Sequence, residues 1–304
     1  MFWVIFYSVA QVLGFISAFH AVTSVRTSQG AVAWVACLLT MPVLAVPLYW
    51  VFGRNKFQGM AEAFQASEEQ IATDVGIARK ALAPYGKKDE LGPSERSLEA
   101  LTDMKVLQPN AVTLLIDGHK TFDDIVAGIE RAEQYVLVQF YIYRSDALGR
   151  RIGDALKARA AAGVKCYVLY DEVGSLSLSS AWIHEMRQAG VAVQKFDTTR
   201  GWTNRFQLNF RNHRKIVVVD GHTAWIGGHN VGIEYLGEDP KRGPWRDTHV
   251  RIEGPSALEA QGVFMADWYW ATRSLPTVDF DPRVPDGATA RVLIAPSGPQ
   301  TKLE

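Results

Sequence analysis

The first 56 residues contain no aspartate or glutamate. Arg26, Arg54 and Lys56 are their only arginines and lysines, and apolar and aromatic side chains fill the rest. Two runs stand out, Phe2–Val22 and Ala31–Phe52. The second holds 22 residues, and at about 1.5 Å per residue a helix of that length reaches roughly 33 Å, enough for a hydrocarbon core. The segment therefore predicts a two-helix transmembrane hairpin over 1–56, with spans at about 2–22 and 31–52. Trp3, Trp34, Tyr49 and Trp50 lie near the span ends, where amphipathic rings prefer the interface. Pro42 and Pro47 would kink the second span, which a membrane helix tolerates. A cleaved signal peptide is the competing reading of the first run, but "MFWVIFYSV" lacks a positive start. Arg54 and Lys56 follow the second span, and the excess of positive charge there favours both ends of the hairpin in the cytoplasm.

The remaining residues alternate between two periodicities. Residues 57–109 are polar and read as a linker containing one helix, "EEQIATDVGIARKALAP". After Asn110 come β-like runs: "AVTLLID", "YVLVQFYIY", "VKCYVLYD", "VAVQKF", "KIVVVD", "TAWIGG" and "DTHVRIEG". Helical runs separate them. "TFDDIVAGIERAEQ" has Thr121 as its expected N-cap after an Asp117-Gly118 turn; "LGRRIGDALKARAAAG" ends at Gly163. "SAWIHEMRQAG" and "SALEAQGVFMADWYWATR" complete the set. Strands alternating with helices predict an α/β sandwich over 110–304, its central strands covered on both faces. Net charge is zero, with 32 basic and 32 acidic residues, so no basic footprint points to nucleic acid. Cys37 and Cys166 are too far apart for a disulfide framework or a metal-ligand spacing, and both read as buried thiols.

The stretch "NHRKIVVVDGHTAWIGGHN" (212–230) sets charges directly against a run of strand formers. Residues i and i+2 of a strand share a face, so His213 and Lys215 would emerge side by side at the strand's entrance. An imidazole there can act as nucleophile or acid, and an ammonium can bind an oxyanion. Asp220 would close the strand at the Asp220-Gly221 turn, its carboxylate holding loop N–H groups. Gly227 and Gly228, lacking Cβ, would let backbone N–H groups approach an anion, and Asn230 would add an amide donor. His222 and His229 read as loop residues, and His249 as a satisfied core or edge histidine. Phe264, Trp268, Tyr269 and Trp270 read as helix packing or lipid contact. Arg205 and Arg211, with Trp202 and Phe206, form a small basic-aromatic loop that would either meet anionic headgroups or lie solvated.

His213, Lys215, Asp220 and the glycine-asparagine run match the HKD motif, H-x-K-x4-D followed by G-G-x-N, and so resemble the phospholipase D superfamily. The hairpin with "VQFYIY", "LYDEVGS", "WRDTHVRIEGPSA" and "APSGP" is similar to the bacterial cardiolipin synthases of that type. The resemblance implies a phospholipase D-like α/β sandwich, one half-domain, in a multi-pass protein of the bacterial inner membrane with its catalytic domain in the cytoplasm. It implies a phosphatidyl transfer between two phosphatidylglycerol molecules, giving cardiolipin and glycerol through a phosphohistidine on His213. Lys215 and Asn230 would hold phosphate oxygens, with Gly227 and Gly228 beside them. Asp220, the motif's third member, would act structurally, and Asp247 would orient the imidazole. No cofactor or metal is implied.

The superfamily's sites use two such motifs, and no second H-x-K is found here. His20, His119, His184, His222, His229 and His249 all fail the spacing. "VLIAPSGPQTKLE" starts like a new strand and stops, so the chain looks like an N-terminal half. The second histidine would then come from a missing C-terminal half or from a second copy in a homodimer. The alternatives are a catalytically silent membrane-anchored fragment and a single-motif homodimeric phosphodiesterase.

Overall fold

The computed structural model describes residues 1–25, 28–53, 68–86, 90–197 and 212–297. The basic-aromatic loop of Trp202, Arg205, Phe206 and Arg211, and the charges Arg26, Arg54 and Lys56, lie outside the described residues. The chain divides into two compact units, one dominated by the N-terminal helices and one formed by Phe64–Asp197 with Arg211–Pro296.

In the N-terminal unit, α1 spans Phe2–Ser24 as one helix. The second apolar run does not form a single span. It breaks into α2 (Ser28–Thr40) and α3 (Pro42–Phe52) at Met41, whose backbone sits at φ −133°, ψ 55°. The cause is Pro42, which disfavours helical geometry in the preceding residue and starts a helix well at its own position. Side-chain pairing then shows the directions. Gln11 donates to the carbonyl of Leu39, and a Cβ on Gly14 would lie 2.5 Å from the carbonyl oxygen of Leu38 and 3.1 Å from Pro42 Cβ. Trp50 Nε1 donates to Ser17 Oγ, and His20 hydrogen-bonds Tyr49 Oη at 2.6 Å. So α2 runs back along α1, and α3 turns at Pro42 and returns beside it in the direction of α1. At about 1.5 Å per residue, α2 (13 residues) and α3 (11 residues) each fall short of a ~30 Å hydrocarbon core. Among the described residues, α1 alone is long and apolar enough to cross a membrane. Cys37 is exposed on α2 rather than buried, since only Leu38 of that helix is fully covered.

The α/β unit is built on a mixed sheet, ordered β4-β3-β2-β5-β6-β7-β1-β8. Its strands are β1 (Leu107–Ile116), β2 (Tyr135–Phe140), β3 (Lys165–Asp171), β4 (Ala192–Phe196), β5 (Ile216–Val219), β6 (Thr223–Gly227), β7 (Thr248–Glu253) and β8 (Ala290–Val292). Strands β2, β3 and β4 pair in parallel; every other neighbour pair is antiparallel. The helices are α4 (Glu68–Leu82), α5 (Pro93–Thr102), α6 (Gly118–Glu130), α7 (Ala147–Ala161), α8 (Ser180–Gln188) and α9 (Ser256–Thr272).

Strand β2 is buried at all six positions, and its alternation separates the two layers. Val136, Val138 and Phe140 join a core with Phe122, Ile125, Ile152, Leu156 and Met186 of α6, α7 and α8. Tyr135 and Gln139 point the other way, where they hydrogen-bond Gln261 and Asp267 of α9. Helix α9 is buried along most of its length, including Phe264, Trp268, Tyr269 and Trp270, so that aromatic stripe is core packing and not a lipid-facing surface. The buried Cys166 thiol is pushed up to about 12 by burial.

Two local expectations are corrected. Asp117, not Thr121, stands at the N-cap of α6, at φ 66°; Thr121 lies inside the first turns, its hydroxyl donating to the Asp117 carbonyl at 2.9 Å. The segment 57–109 is not merely a polar connector. Glu99 of α5 is buried and accepts the Val106 N–H at 2.8 Å, and Arg291 pairs with Glu90 and Glu95. Glu259 of α9 accepts the N–H groups of Lys105 and Ile294, and burial raises its carboxyl to about 7.

Candidate active site

The β5–β6 hairpin carries the motif. Its two-residue turn has Asp220 at φ 52° and Gly221 at φ 68°, with His222 N–H donating to the Val219 carbonyl at 3.0 Å. Positive φ at both central positions gives a turn whose twist suits an antiparallel hairpin, and Asp-Gly is a preferred pair for it. The Asp220 carboxylate accepts the N–H groups of Glu133, Gln134 and Tyr135, each at 2.8 Å, while its own N–H donates to the Tyr135 carbonyl. Asp220 thus locks the start of β2 to the hairpin turn. It does not meet His213 and Lys215, with which the sequence grouped it. It lies five residues along the chain from Lys215, about 16 Å at strand spacing, at the opposite end of β5.

At the other end, His213 is exposed and Lys215 buried, immediately before β5. The ring of Tyr141, just past β2, stands against both. Its centroid is 4.6 Å from the His213 ring and 5.4 Å from Lys215 Nζ. The ammonium donates to the His213 carbonyl at 2.6 Å. Burial lowers the Lys215 ammonium to about 8, against the opposing field of Asp247. Partial desolvation and then Lys215 hold His213 below the ordinary imidazole range, opposed by Asp171. The result is an accessible imidazole, neutral at physiological pH, beside a cation that is largely protonated there. That pairing suits a nucleophile attacking a phosphate.

Strand β6 returns to this end. Ile216 pairs with Ile226, which brings Gly227 and Gly228 back towards the level of Lys215. Both glycines meet a packing need there. A Cβ on Gly227 would collide with the ring of His249, and one on Gly228 with the Asp247 carboxylate. The Gly228 N–H is already given to the Thr248 carbonyl at 3.0 Å. Asn230 is buried; its Oδ1 accepts the Ile142 N–H at 3.0 Å, and its Nδ2 donates to Tyr235 Oη at 3.0 Å. Its second amide hydrogen is what it has left for a ligand. Asp247 sits beside Gly228, and its field reaches Lys215, His229 and His249. The carboxylate whose field reaches His213 is Asp171, at the end of β3.

His229 lies on the loop after β6, as expected, but is buried there, and its Nδ1 meets His249 Nδ1 at 3.0 Å. Burial, then His229, pushes His249 down to about 3, which keeps it neutral. Among the described residues, no group of three or more His, Cys, Asp or Glu side chains stands close enough to hold a metal ion.

Tyr141 and Asp171 lay inside the quoted runs "VQFYIY" and "LYDEVGS" without being singled out. Nothing in a strand's own periodicity shows which of its residues faces a histidine 72 positions later. Asp267 was absorbed into an aromatic stripe, although a lone aspartate among tryptophans is itself a signal of a buried polar contact.

The exposed His213, the buried Lys215 and the hairpin locked through Asp220 all fall within one recognisable domain. Residues 125–240 match the family model described as "Cardiolipin synthase, PLD-like domain". The chain is 45% identical over 298 residues to cardiolipin synthase A of Pseudomonas putida (strain W619), which covers 96% of this chain and 62% of the relative. It is 44% identical over 300 residues to cardiolipin synthase A of Pseudomonas aeruginosa (strain LESB58), covering 97% and 61% respectively. The chain thus spans about three-fifths of the curated relatives it matches. Among solved structures, NucT from Helicobacter pylori aligns with a TM-score of 0.43 at 15% identity, covering 53% of this chain and 98% of that one. Residues 125–240 thus match a phospholipase D-like domain of the cardiolipin synthase type, and the chain is similar over nearly its whole length to curated cardiolipin synthases.

Proposed function

We propose that this chain provides the nucleophilic half of a phosphatidyltransferase that makes cardiolipin from two molecules of phosphatidylglycerol. The observation that carries the reading is the accessible His213 held beside the buried Lys215 ammonium, with the ring of Tyr141 against both. In the first step an imidazole nitrogen forms a bond to phosphorus. The phosphorus–oxygen bond to the glycerol headgroup breaks, and that oxygen takes a proton from an acid. In the second step the hydroxyl of another phosphatidylglycerol gives up its proton and attacks phosphorus, and the phosphorus–nitrogen bond breaks. Two displacements replace one difficult exchange. Lys215 neutralises charge on the phosphate oxygens as it develops, with Asn230 in support. Asp220 acts through the fold alone. Asp247 acts on Lys215, and Asp171 supports the imidazole.

The leaving-group acid is a second imidazole, and it comes from another phospholipase D-like domain, either a second copy of this chain or a further domain of a longer protein. An apolar row on β1 supports such a partner. Val112, Leu114 and Ile116 alternate on one face and are 47%, 54% and 42% exposed. Helix α1 inserts in the bacterial inner membrane, with the α/β unit on the cytoplasmic face. The test is the purified chain in mild detergent with labelled phosphatidylglycerol. Cardiolipin and glycerol, with specific activity rising with protein concentration, mark a dimer. Product only after adding a separately expressed second domain marks the longer protein. Product that persists in His213→Ala overturns the reading.

A further inference from the structure

The residues on either side of His213 converge on one buried carboxylate. Asp267 belongs to α9, a helix otherwise packed through Phe264, Trp268 and Trp270, and its side chain has no exposed surface. A carboxylate is costly in such a place unless donors surround it. Three donors from two different parts of the sheet do so. Gln139 Nε2 of β2 reaches Asp267 Oδ2 at 2.7 Å, and Asn212 Nδ2 reaches the same oxygen at 2.7 Å. Arg214 Nη1 spans both oxygens at 2.6 and 2.7 Å.

The network closes on itself. Asn212 Oδ1 accepts from Gln139 Nε2 at 2.9 Å and from the Arg214 backbone N–H at 3.2 Å. The Asn212 N–H donates to Asp171 Oδ2 at 3.0 Å. Gln139 spends both amide hydrogens here and leaves its own buried Oε1 without a partner among the described residues. Residues 212 and 214 are therefore each fixed by main chain and side chain, while 213 between them points outward.

We propose that Asp267 is the positioning residue of the nucleophile, fixing where the His213 imidazole stands by clamping both of its chain neighbours. It touches neither the imidazole nor substrate. A well-packed apolar side chain would serve stability as well. What a fully connected polar network adds is one backbone conformation, and a nucleophile misplaced by about 1 Å loses on the order of 100-fold in rate. The inference rests on the reading of His213 as the nucleophile.

The test uses the full chain in mild detergent and reads the pH dependence of His213 modification by diethylpyrocarbonate, peptide by peptide, with melting temperature as the check on folding. Around His213 stand Lys215, Asp171 and the Tyr141 ring. Asp267→Asn loosens the clamp, relieves the partial desolvation of the imidazole and shifts its titration upward, towards the ordinary range. Loss of a nearby negative charge alone would shift it downward, so the sign separates positioning from electrostatics. Asn212→Ala removes one arm of the clamp and leaves the Asp267 charge in place, so its titration also moves upward. An unmoved or downward titration in folded Asp267→Asn overturns the proposal. If Asp267→Asn does not fold, Asn212→Ala decides alone: an upward titration supports the clamp, and an unmoved or downward one in a folded protein refutes it. Phosphoryl labelling of wild type and His213→Ala, run in parallel, tests the nucleophile itself, so either idea can fail without the other.

Discussion

Replacing Asp220 separates a structural aspartate from a catalytic one. In Asp220→Ala three N–H groups lose a charged acceptor. Those of Glu133 and Gln134 are exposed and turn to water, while that of Tyr135 is part-buried, so the hydrogen-bond loss is about 2–4 kcal/mol. Alanine at φ 52° adds about 1 kcal/mol, since a left-handed backbone suits Asp and Asn but not Ala. The total, about 3–5 kcal/mol, corresponds to a fall in Tm of roughly 10 °C for a unit of about two hundred residues. Asp220→Asn keeps an oxygen acceptor and tolerates the turn, and costs about 1–2 kcal/mol. Thermal unfolding followed by circular dichroism gives both shifts, and turnover per folded molecule is read well below each Tm. Near-wild-type turnover per folded molecule is expected in both variants. A variant with unchanged Tm and no turnover would refute the structural role and return Asp220 to the chemistry.

Further expectations concern pH and topology. Transfer should decline as pH rises through about 8, where Lys215 loses its proton, and Lys215→Met should remove that alkaline limb along with most of the rate. Glu259 is raised to about 7 in the folded protein, so its contribution is fully present below the ordinary carboxyl range and is lost as pH rises through 7. Melting temperature should therefore drop between pH 5 and 8 in wild type and drop less in Glu259→Gln; equal slopes would contradict this. If α1 crosses the bilayer while α2 and α3 turn back at Pro42, cysteines at Trp3 and Phe52 label from opposite faces once Cys37 and Cys166 are removed. Labelling from one face would restore the simple hairpin.

The sheet was largely legible because each strand carries its own apolar run, and β5–β6 is punctuated by an Asp-Gly pair that forces its turn. The second membrane run was not, because hydropathy averages over Pro42 while the backbone of Met41 cannot. Thr121 looked like a cap by residue type, yet Asp117 took the role through a positive φ that composition does not reveal. Within the site, His213 and Lys215 were readable from an i, i+2 spacing. Their surroundings were not, because Tyr141, Asp171 and Asp267 arrive from β2, β3 and α9, and only the assembled sheet brings them to one place. Gly227 and Gly228 stood out in the sequence for the access to an anion that a missing Cβ gives, but it took the assembled sheet to show that His249 and Asp247 fill the space a side chain would need.

The central claim is that His213 forms the covalent bond to phosphorus. The most direct measurement mixes the chain with a phosphatidyl ester of p-nitrophenol, labelled in the phosphate, whose nitrophenolate departs without needing an acid from a second domain. A burst of nitrophenolate stoichiometric with protein, with alkali-stable, acid-labile label on the peptide bearing His213, is expected, and neither should occur in His213→Ala. A folded wild-type protein that gives no burst, or a His213→Ala variant that labels equally, would contradict the account.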